Sequence, residues 1–202
     1  MSGRFIVFEG LDGCGKSTQA TLATSFLFSL NKENDILLTR EPTRDFREIR
    51  SSLSSVTEVT KDPEWFARMF IADRKHHVQE YITPSLLRGT HVLCDRYKHS
   101  TLTFQQAQGI DLERLIDWHE GLPIPDLTII FDLPTNTALE RCGERGKKDL
   151  FERAEFQEQV RKNYLDLASL LVERGERVVV IPVTSIDHTA QQVQKHILTL
   201  FS

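Results

Sequence analysis

The stretch "FEGLDGCGKSTQ", residues 8–19, places three glycines and a lysine within residues 10–16. Residues 10–17 fit the pattern G-x-x-x-x-G-K-[S/T], in which glycine lets the backbone turn its N–H groups inward around a phosphate chain. A β-rich run precedes the pattern and a helical stretch follows it, and the pattern needs both. The stretch therefore predicts a phosphate-binding loop at the N-terminus of a helix.

Each position of this loop has an expected task. Lys16 is expected to reach the β- and γ-phosphates of a nucleotide, and the Ser17 hydroxyl is expected to ligate Mg²⁺. The other loop positions that are expected to contact the nucleotide are Gly10, Leu11, Asp12, Gly13, Cys14, Gly15 and Thr18.

Composition predicts one domain spanning residues 1–202, with 40% hydrophobic residues to build its core. The net charge of −4 favours neither nucleic acid nor a membrane surface. No apolar run approaches the roughly 20 residues of a membrane helix, and the N-terminus lacks a signal-peptide pattern. Cys14, Cys94 and Cys142 are too few and too scattered for a disulfide framework or a zinc site, so we expect reduced thiols in a cytoplasmic protein.

Apolar runs alternate with helical patterns along the chain. The runs are "RFIVFE" (4–9), "DILLTRE" (35–41), "HVLCDR" (91–96), "LTIIFDL" (127–133) and "RVVVIPV" (177–183). Helices are predicted over 17–30, 65–87, 155–173 and 185–201, the last with Ser185 or Asp187 as its N-cap. Continuously apolar strands alternating with helices predict an α/β protein with a buried parallel sheet.

The third apolar run separates the classes of phosphate-loop protein. A GTPase needs N-K-x-D, and the nearest string, "NKEN" at 31–34, ends wrongly; a motor ATPase usually has a strand ending in Asp-Glu, whereas this run ends in "CDRY". Asp95 and Arg96 follow the carboxyl end of a predicted parallel strand, where α/β sheets bind ligands. We expect Asp95 to hold Mg²⁺ through water and Arg96 to clamp a second phosphate, which favours a small-molecule kinase.

At this point the chain resembles the thymidylate kinases, which phosphorylate dTMP with ATP. The resemblance covers nearly the whole chain through "FEGLDGCGKST", "TREPT", "FIADRKHH", "CDRYKHSTLTFQQ", "GLPIPDLTIIFDL" and "ERAEFQEQVRKNYLDLA". It implies a three-layer nucleoside monophosphate kinase fold, with a five-stranded parallel sheet flanked by helices and a short mobile lid at about 142–153. It also implies a homodimer.

The resemblance assigns the acceptor nucleotide to particular residues. Asp12 matches an acid that faces the deoxyribose 3′-hydroxyl, and Arg96 matches the arginine that holds the dTMP phosphate. Arg40 and Glu41, at the end of another strand, are expected to face the monophosphate and the metal.

Base recognition is implied for two further segments. Phe70 matches an aromatic that stacks on thymine, although its helical spacing alone favours a core residue; Arg74 matches an arginine that hydrogen-bonds the base, the alternative being a surface ion pair with Asp73. Phe104 lies where its ring excludes a ribose 2′-hydroxyl. The same base-reading segment contains Ser100, Thr101 and Gln105.

Catalytic charge is expected from the lid. Arg141 matches the arginine that packs on adenine. Some members of the family carry a catalytic arginine directly after the loop acid, but here that residue is Gly13, so the charge must come from elsewhere. Arg145 and Arg153 are the candidates, in a cluster with Lys147 and Lys148.

Two features depart from the usual pattern or stand outside it. Bacterial members usually have "REPGGT", whereas this chain has "REPTRDFREIR" (40–50), closer to archaeal members, so the phosphate contacts of this loop stay open. His76 and His77 are predicted to be surface histidines without metal ligands nearby.

Two other functions stay open. The chain could phosphorylate another nucleotide or a nucleoside such as thymidine, or it could be a nucleotide-binding regulator without catalysis. The presence of Lys16, Ser17, Asp95 and Arg96 argues against the regulator, and a panel of acceptors discriminates among the kinases.

Overall fold

All five apolar runs form strands of one sheet in the computed structural model, which describes residues 3–46, 62–143 and 154–201. The strands are β1 (Phe5–Gly10), β2 (Ile36–Arg40), β3 (His91–Asp95), β4 (Leu127–Asp132) and β5 (Val178–Pro182). They pair in parallel in the order β2-β3-β1-β4-β5. The predicted α/β class, the strand number and the parallel arrangement are confirmed.

Strand register brings the ends of the strands to one edge. Asp95 pairs with Phe8 on one side and with Arg40 on the other, and Gly10 pairs with Phe131. Because all five strands run in the same direction, the loops that follow them share this edge, where α/β proteins bind ligands.

The helices lie between the strands along the chain. They are α1 (Lys16–Leu30), α2 (Pro63–His77), α3 (Thr83–Leu87), α4 (Lys98–Ala107), α5 (Leu112–Trp118), α6 (Thr135–Gly143), α7 (Ala154–Glu173) and α8 (Ile186–Leu198). Every residue of β1 is buried, so helices cover both faces of the sheet and make three layers. One packed pair is α1 with α8, and α4 packs against both α2 and α7. No helix in the described ranges is long and apolar enough to cross a membrane.

The four predicted helices are confirmed, with two differences. The stretch predicted at 65–87 contains a π-helical turn, Val78–Ile82, between α2 and α3. The last helix ends at Leu198 rather than at residue 201, and its N-cap is Ser185, whose hydroxyl accepts from the backbone N–H of His188 at 3.2 Å.

Helices α4, α5 and α6 have no counterpart among the predictions. In α4 the buried face includes Thr101, Thr103 and Gln105 as well as apolar side chains. Polar side chains on a buried face weaken the apolar periodicity that marks a helix. Helix α5 has only seven residues, too few for that periodicity to stand out.

The apolar core joins the sheet to the helices on it. Ile6 and Phe8 of β1 belong to one buried cluster with Leu27 of α1, Tyr164 of α7 and Ile197 of α8. The three cysteines are buried and form no disulfide with one another. This core fixes the strand ends and therefore the edge on which the site is built.

Leu93 in β3 is fully buried, whereas Leu87 at the end of α3 keeps 79% of its surface exposed. We expect Leu93→Ala to lower the free energy of unfolding by about 2–5 kcal/mol, since it leaves a cavity in the core. Leu87→Ala, the same change at an exposed site, should stay within about 0.5 kcal/mol of the parent. Urea denaturation measures both, and equal losses would contradict this description of the core.

Candidate active site

The glycine loop connects β1 to α1 with a backbone that favours glycine. Gly10, Gly13 and Gly15 have φ values of 135°, 82° and 99°. Gly15 is the N-cap of α1, and no side chain among the described residues caps this helix. The positive end of the helix dipole and its free N–H groups are therefore available to an anion.

Gly13 is also required by close packing against α6. A Cβ at this position would lie 2.5 Å from the Ala138 carbonyl oxygen and 3.2 Å from the Cys142 sulfur. An arginine therefore does not fit here without moving α6, which agrees with seeking the catalytic charge elsewhere. The lid candidates Arg145 and Arg153 lie outside the described residues.

Lys16 points its ammonium into the loop. Its Nζ donates to the carbonyl oxygens of Gly10 at 3.0 Å and Leu11 at 2.8 Å, and its side chain is buried. The positive charge of Lys16 therefore lies inside the loop, where a phosphate group is expected to bind.

Ser17 and Asp95 form a group of oxygen atoms suited to a hard cation. The Ser17 hydroxyl donates to Asp95 Oδ2 at 2.5 Å. Asp95 Oδ1 is buried and has no hydrogen-bond partner among the described residues. A buried carboxylate oxygen needs a partner, and Mg²⁺ prefers oxygen ligands, so this pair fits the metal expected from the sequence.

Arg96 directly follows Asp95 and adopts a left-handed backbone, with φ of 75°. Such a conformation costs a non-glycine residue about 1–2 kcal/mol and needs support from its surroundings. The guanidinium donates to Asp12 Oδ1 at 2.6 Å and to Ser100 Oγ at 2.8 Å, and lies 5.4 Å from the centre of the Phe104 ring. Burial lowers the pKa of Arg96, but the Asp12 charge leads the groups that outweigh burial and raise it.

Asp12 joins the loop to this arginine. Burial raises its pKa, but the charges of Arg96, Lys16 and Arg40 lower it to about 2. Asp12 is therefore ionised at neutral pH. Three cations and one anion from the loop, β2 and the end of β3 meet at one edge of the sheet.

Glu41, Arg74 and His77 form a buried network beside this edge. Glu41 accepts from Arg74 Nε at 2.7 Å and pairs with His77 Nδ1 at 3.0 Å. The prediction of a surface His77 is wrong, because the ring is buried and its Nε2 lies 2.8 Å from Thr39 Oγ1. Potential ligand atoms of Glu41, His77 and Cys94 lie within 4.8 Å of one another, contrary to the expectation of none nearby. All three residues already have protein partners, so the cluster acts as a hydrogen-bonded part of the core.

The network also settles the surroundings of Arg74. Its guanidinium donates to Thr101 Oγ1 at 3.1 Å and to the Tyr97 carbonyl at 3.0 Å. The alternative of a surface ion pair with Asp73 is wrong, because both side chains are buried and Asp73 accepts from Thr43 instead.

His119 completes this network, and sequence reasoning missed it. Its Nδ1 lies 2.6 Å from the Leu115 carbonyl, which can only accept, so Nδ1 carries the proton and Nε2 accepts from Arg74 at 2.7 Å. Burial, followed by the Arg74 charge, lowers the pKa of His119 to about 3, which keeps the ring neutral. His119 reaches Arg74 because it follows the short helix α5. No local sequence pattern indicates this contact, since the two residues are 45 positions apart.

The other predicted base-site residues lie on α2 and α4. Phe70 is half-buried, and its ring centre lies 6.5 Å from that of Phe66. Thr101, Phe104 and Gln105 are buried on α4, and the Gln105 amide donates to Gln108 at 3.2 Å. The structure therefore places these side chains on two helices that pack against each other, and Phe104 among them contacts Arg96.

A pocket of about 340 Å³ opens on the other side of the glycine loop. Its lining combines the loop and the start of α1 with Arg141 and the turn between β5 and α8; it consists of Gly13, Cys14, Gly15, Thr18, Gln19, Arg141, Val183, Thr184, Ser185, Ile186 and Thr189. Arg141 donates to the Gly13 carbonyl at 3.4 Å. Arg141 is among the predicted site residues, but the turn at 183–186 is not. Two features of the sequence could have indicated it: the turn follows the last strand, and it contains the N-cap Ser185.

A glycine loop at a helix N-terminus, the Ser17–Asp95 oxygen pair and Arg96 lie together at the carboxyl edge of a parallel sheet. This arrangement is typical of phosphate-loop proteins of the nucleotide kinase class. The family model for thymidylate kinase matches residues 8–195. The chain belongs to the thymidylate kinase family.

Individual relatives agree with this assignment. The chain is 40% identical to a probable thymidylate kinase of Pyrococcus abyssi over 181 residues, covering 86% of each chain. It is 41% identical to a thymidylate kinase of Akkermansia muciniphila over 151 residues, 74% of this chain and 72% of the relative. The crystal structure of thymidylate kinase from Ehrlichia chaffeensis aligns with a TM-score of 0.78 at 29% identity, covering 98% of this chain and 100% of that one.

The packing of Gly13 can be separated from its backbone conformation. Gly13→Ala adds both a strained φ and a collision with the Ala138 carbonyl, whereas Gly109→Ala adds strain alone, since Gly109 has φ of 95° and nothing within 4 Å of its Cβ position. We expect Gly13→Ala to cost about 1–3 kcal/mol more than the control in urea denaturation, because backbone must shift. Equal losses of unfolding free energy in the two variants would show that α6 can move away from residue 13 at no cost.

Proposed function

We propose that this chain transfers the γ-phosphoryl group of ATP to dTMP, forming dTDP, with Mg²⁺ bound. The observation that carries the proposal is Arg96. Arg96 comes one residue after Asp95, which we propose as a ligand of the cation. The Arg96 guanidinium is held by Asp12 of the glycine loop. An acceptor-phosphate clamp and a donor-phosphate loop thus share one edge of the sheet.

The donor nucleotide would occupy the loop and the pocket beside it. Loop N–H groups and Lys16 bind its phosphates, and Arg141 packs on its base in the pocket. Ser17 and Asp95 would hold Mg²⁺, which neutralises phosphate charge and orients the transferred group when bound.

The acceptor would lie between Arg96 and helices α2 and α4. Arg96 aims a phosphate oxygen of dTMP at the γ-phosphorus, because a charged bidentate grip fixes its direction. No general base is needed, since the second pKa of a phosphate monoester is about 6 and the attacking oxygen is already ionised.

Sugar and base recognition follow from the same helices. Asp12 faces the 3′-hydroxyl, and the Phe104 ring excludes a 2′-hydroxyl by its bulk. Phe70 stacks on thymine, a contact worth about 1–3 kcal/mol for bases in nucleic-acid complexes. Arg74 reads the base edge, although four of its five N–H groups already donate to described protein acceptors.

Family membership supports four further proposals. These are a single domain over 1–202, a lid at about 142–153 that supplies Arg145 and Arg153, a homodimer and a cytoplasmic location. Monophosphate contacts by Arg40 and Glu41 also remain proposals; Arg40 is exposed at the strand edge, and Glu41 acts through Arg74 and His77.

A panel of dTMP, dUMP, UMP, dCMP, AMP and thymidine, each with ATP and Mg²⁺, tests the function. We expect the highest kcat/KM for dTMP, and dUMP lower by about 10- to 200-fold, because one methyl group in an apolar pocket gives that discrimination. Best turnover of thymidine would make the chain a nucleoside kinase. Tight ATP binding without transfer to any acceptor would indicate a regulator.

Lys16→Ala should abolish dTDP formation while the circular dichroism spectrum and melting temperature stay close to the parent values. Lys195→Ala, on the exposed side of α8, is the matched control and should retain full activity. Near-normal turnover by the Lys16 variant would remove the loop from the mechanism.

A further inference from the structure

A carboxylate lies fully buried one residue before the glycine loop, and none of the proposed steps uses it. Glu9 is 0% exposed in the central strand. Its Oε1 accepts from the backbone N–H groups of Tyr97 at 2.7 Å and Ser100 at 3.2 Å. Its Oε2 accepts from the hydroxyls of Ser100 at 2.7 Å and Tyr164 at 2.9 Å. Burying a charge costs free energy unless hydrogen bonds compensate it, and here four donors converge on one carboxylate. We therefore ask what this arrangement does for the site.

The carboxylate stays ionised. Burial raises the pKa of Glu9, but His99, whose Nδ1 lies 3.7 Å from Glu9 Oε1, and then the charge of Arg96 lower it to about 2. An ionised carboxylate only accepts hydrogen bonds. Glu9 therefore determines the direction in which the groups around it donate.

That direction is passed to Arg96 through Ser100. The single hydroxyl proton of Ser100 goes to Glu9, so the lone pairs of Ser100 Oγ are left to accept from Arg96 Nη1 at 2.8 Å. The two hydrogen bonds that Glu9 accepts from backbone N–H groups also fix the chain immediately after Arg96. They thereby support the left-handed backbone of Arg96, whose φ is 75°. Asp12 holds the other side of the guanidinium, at Nη2.

We propose that Glu9 is a positioning residue that sets the Arg96 guanidinium in the orientation that receives the acceptor phosphate. The inference rests on the proposed function, since the acceptor is the phosphate that Arg96 binds. Glu9 touches no substrate; it acts through the Ser100 hydroxyl and the backbone of residues 97–100.

Glutamine cannot replace this carboxylate, although it has the same shape. If the amide N–H₂ faces Ser100 and Tyr164, neither hydroxyl can donate to residue 9. The two hydroxyls lie 3.1 Å apart, so only one of them can donate to the other, and nothing then fixes the Ser100 proton away from Arg96. If the amide is turned round, its N–H₂ group meets the backbone N–H groups of Tyr97 and Ser100. In the first orientation Arg96 loses its defined acceptor, and in the second the backbone that follows Arg96 loses its two anchoring hydrogen bonds.

Steady-state kinetics of Glu9→Gln and Ser100→Ala test the inference. We expect the KM for dTMP to rise by about 10- to 100-fold in both, the range typical of lost supporting hydrogen bonds, with the KM for ATP within about twofold. The control is Tyr164→Phe, which removes a donor from the same Glu9 oxygen and a 3.1 Å contact with the Ser100 hydroxyl, but keeps the bonds from Ser100 to Glu9 and from Arg96 to Ser100. Its KM for dTMP should change by less than about threefold.

A second readout needs no substrate. The ¹⁵N resonances of the Arg96 Nη groups, assigned with Arg96→Gln, should be separate in the parent and in Tyr164→Phe, because the guanidinium is held. In Glu9→Gln they should merge through faster rotation. If Glu9→Gln does not fold, Ser100→Ala must give the same merging.

Unchanged Nη resonances overturn the inference, and so does an equal rise of both KM values. These outcomes are distinct from failure of the proposed function, in which the parent chain would not phosphorylate dTMP although its Arg96 resonances still responded to Glu9.

Discussion

The ion pair between Asp12 and Arg96 joins two strand ends that are far apart in sequence but adjacent in the sheet. It places a cation from the end of β3 against the glycine loop that follows β1, at 2.6 Å. Strand order β3-β1 makes this contact possible, and the left-handed backbone at Arg96 aims the side chain. The glycine loop, the Ser17–Asp95 pair and Arg96 therefore lie at one edge, which is the arrangement that the proposed in-line phosphoryl transfer requires.

Sequence patterns predicted the parts of this arrangement that depend on local chemistry. The five apolar runs indicated the parallel sheet, because strands buried on both faces are apolar throughout. The glycine loop indicated its own conformation, since its glycine φ values are ones that other residues rarely adopt. The end of the third run, Asp95-Arg96, indicated the position of the proposed phosphate clamp, because parallel strands end at a common edge.

The supporting contacts could not be predicted, because they join residues that no local pattern relates. Glu9 and Ser100 are 91 positions apart, and Arg74 and His119 are 45 apart. His77 looked like a surface residue because its neighbours are polar, yet its partners Thr39 and Glu41 lie in β2 and directly after it. Helix α4 was not predicted because several of its buried side chains are polar, so the helix lacks a clear apolar periodicity.

Calorimetric binding of dTMP and thymidine to the parent chain and to Arg96→Gln tests the central claim most directly. Thymidine lacks only the phosphate, so the affinity ratio of the two ligands isolates the phosphate contact. We predict that the parent prefers dTMP by about 10- to 150-fold, the contribution of a hydrogen bond to a charged group, and that Arg96→Gln loses this preference while its thymidine affinity stays unchanged. A preference for dTMP that survives in Arg96→Gln would contradict the account.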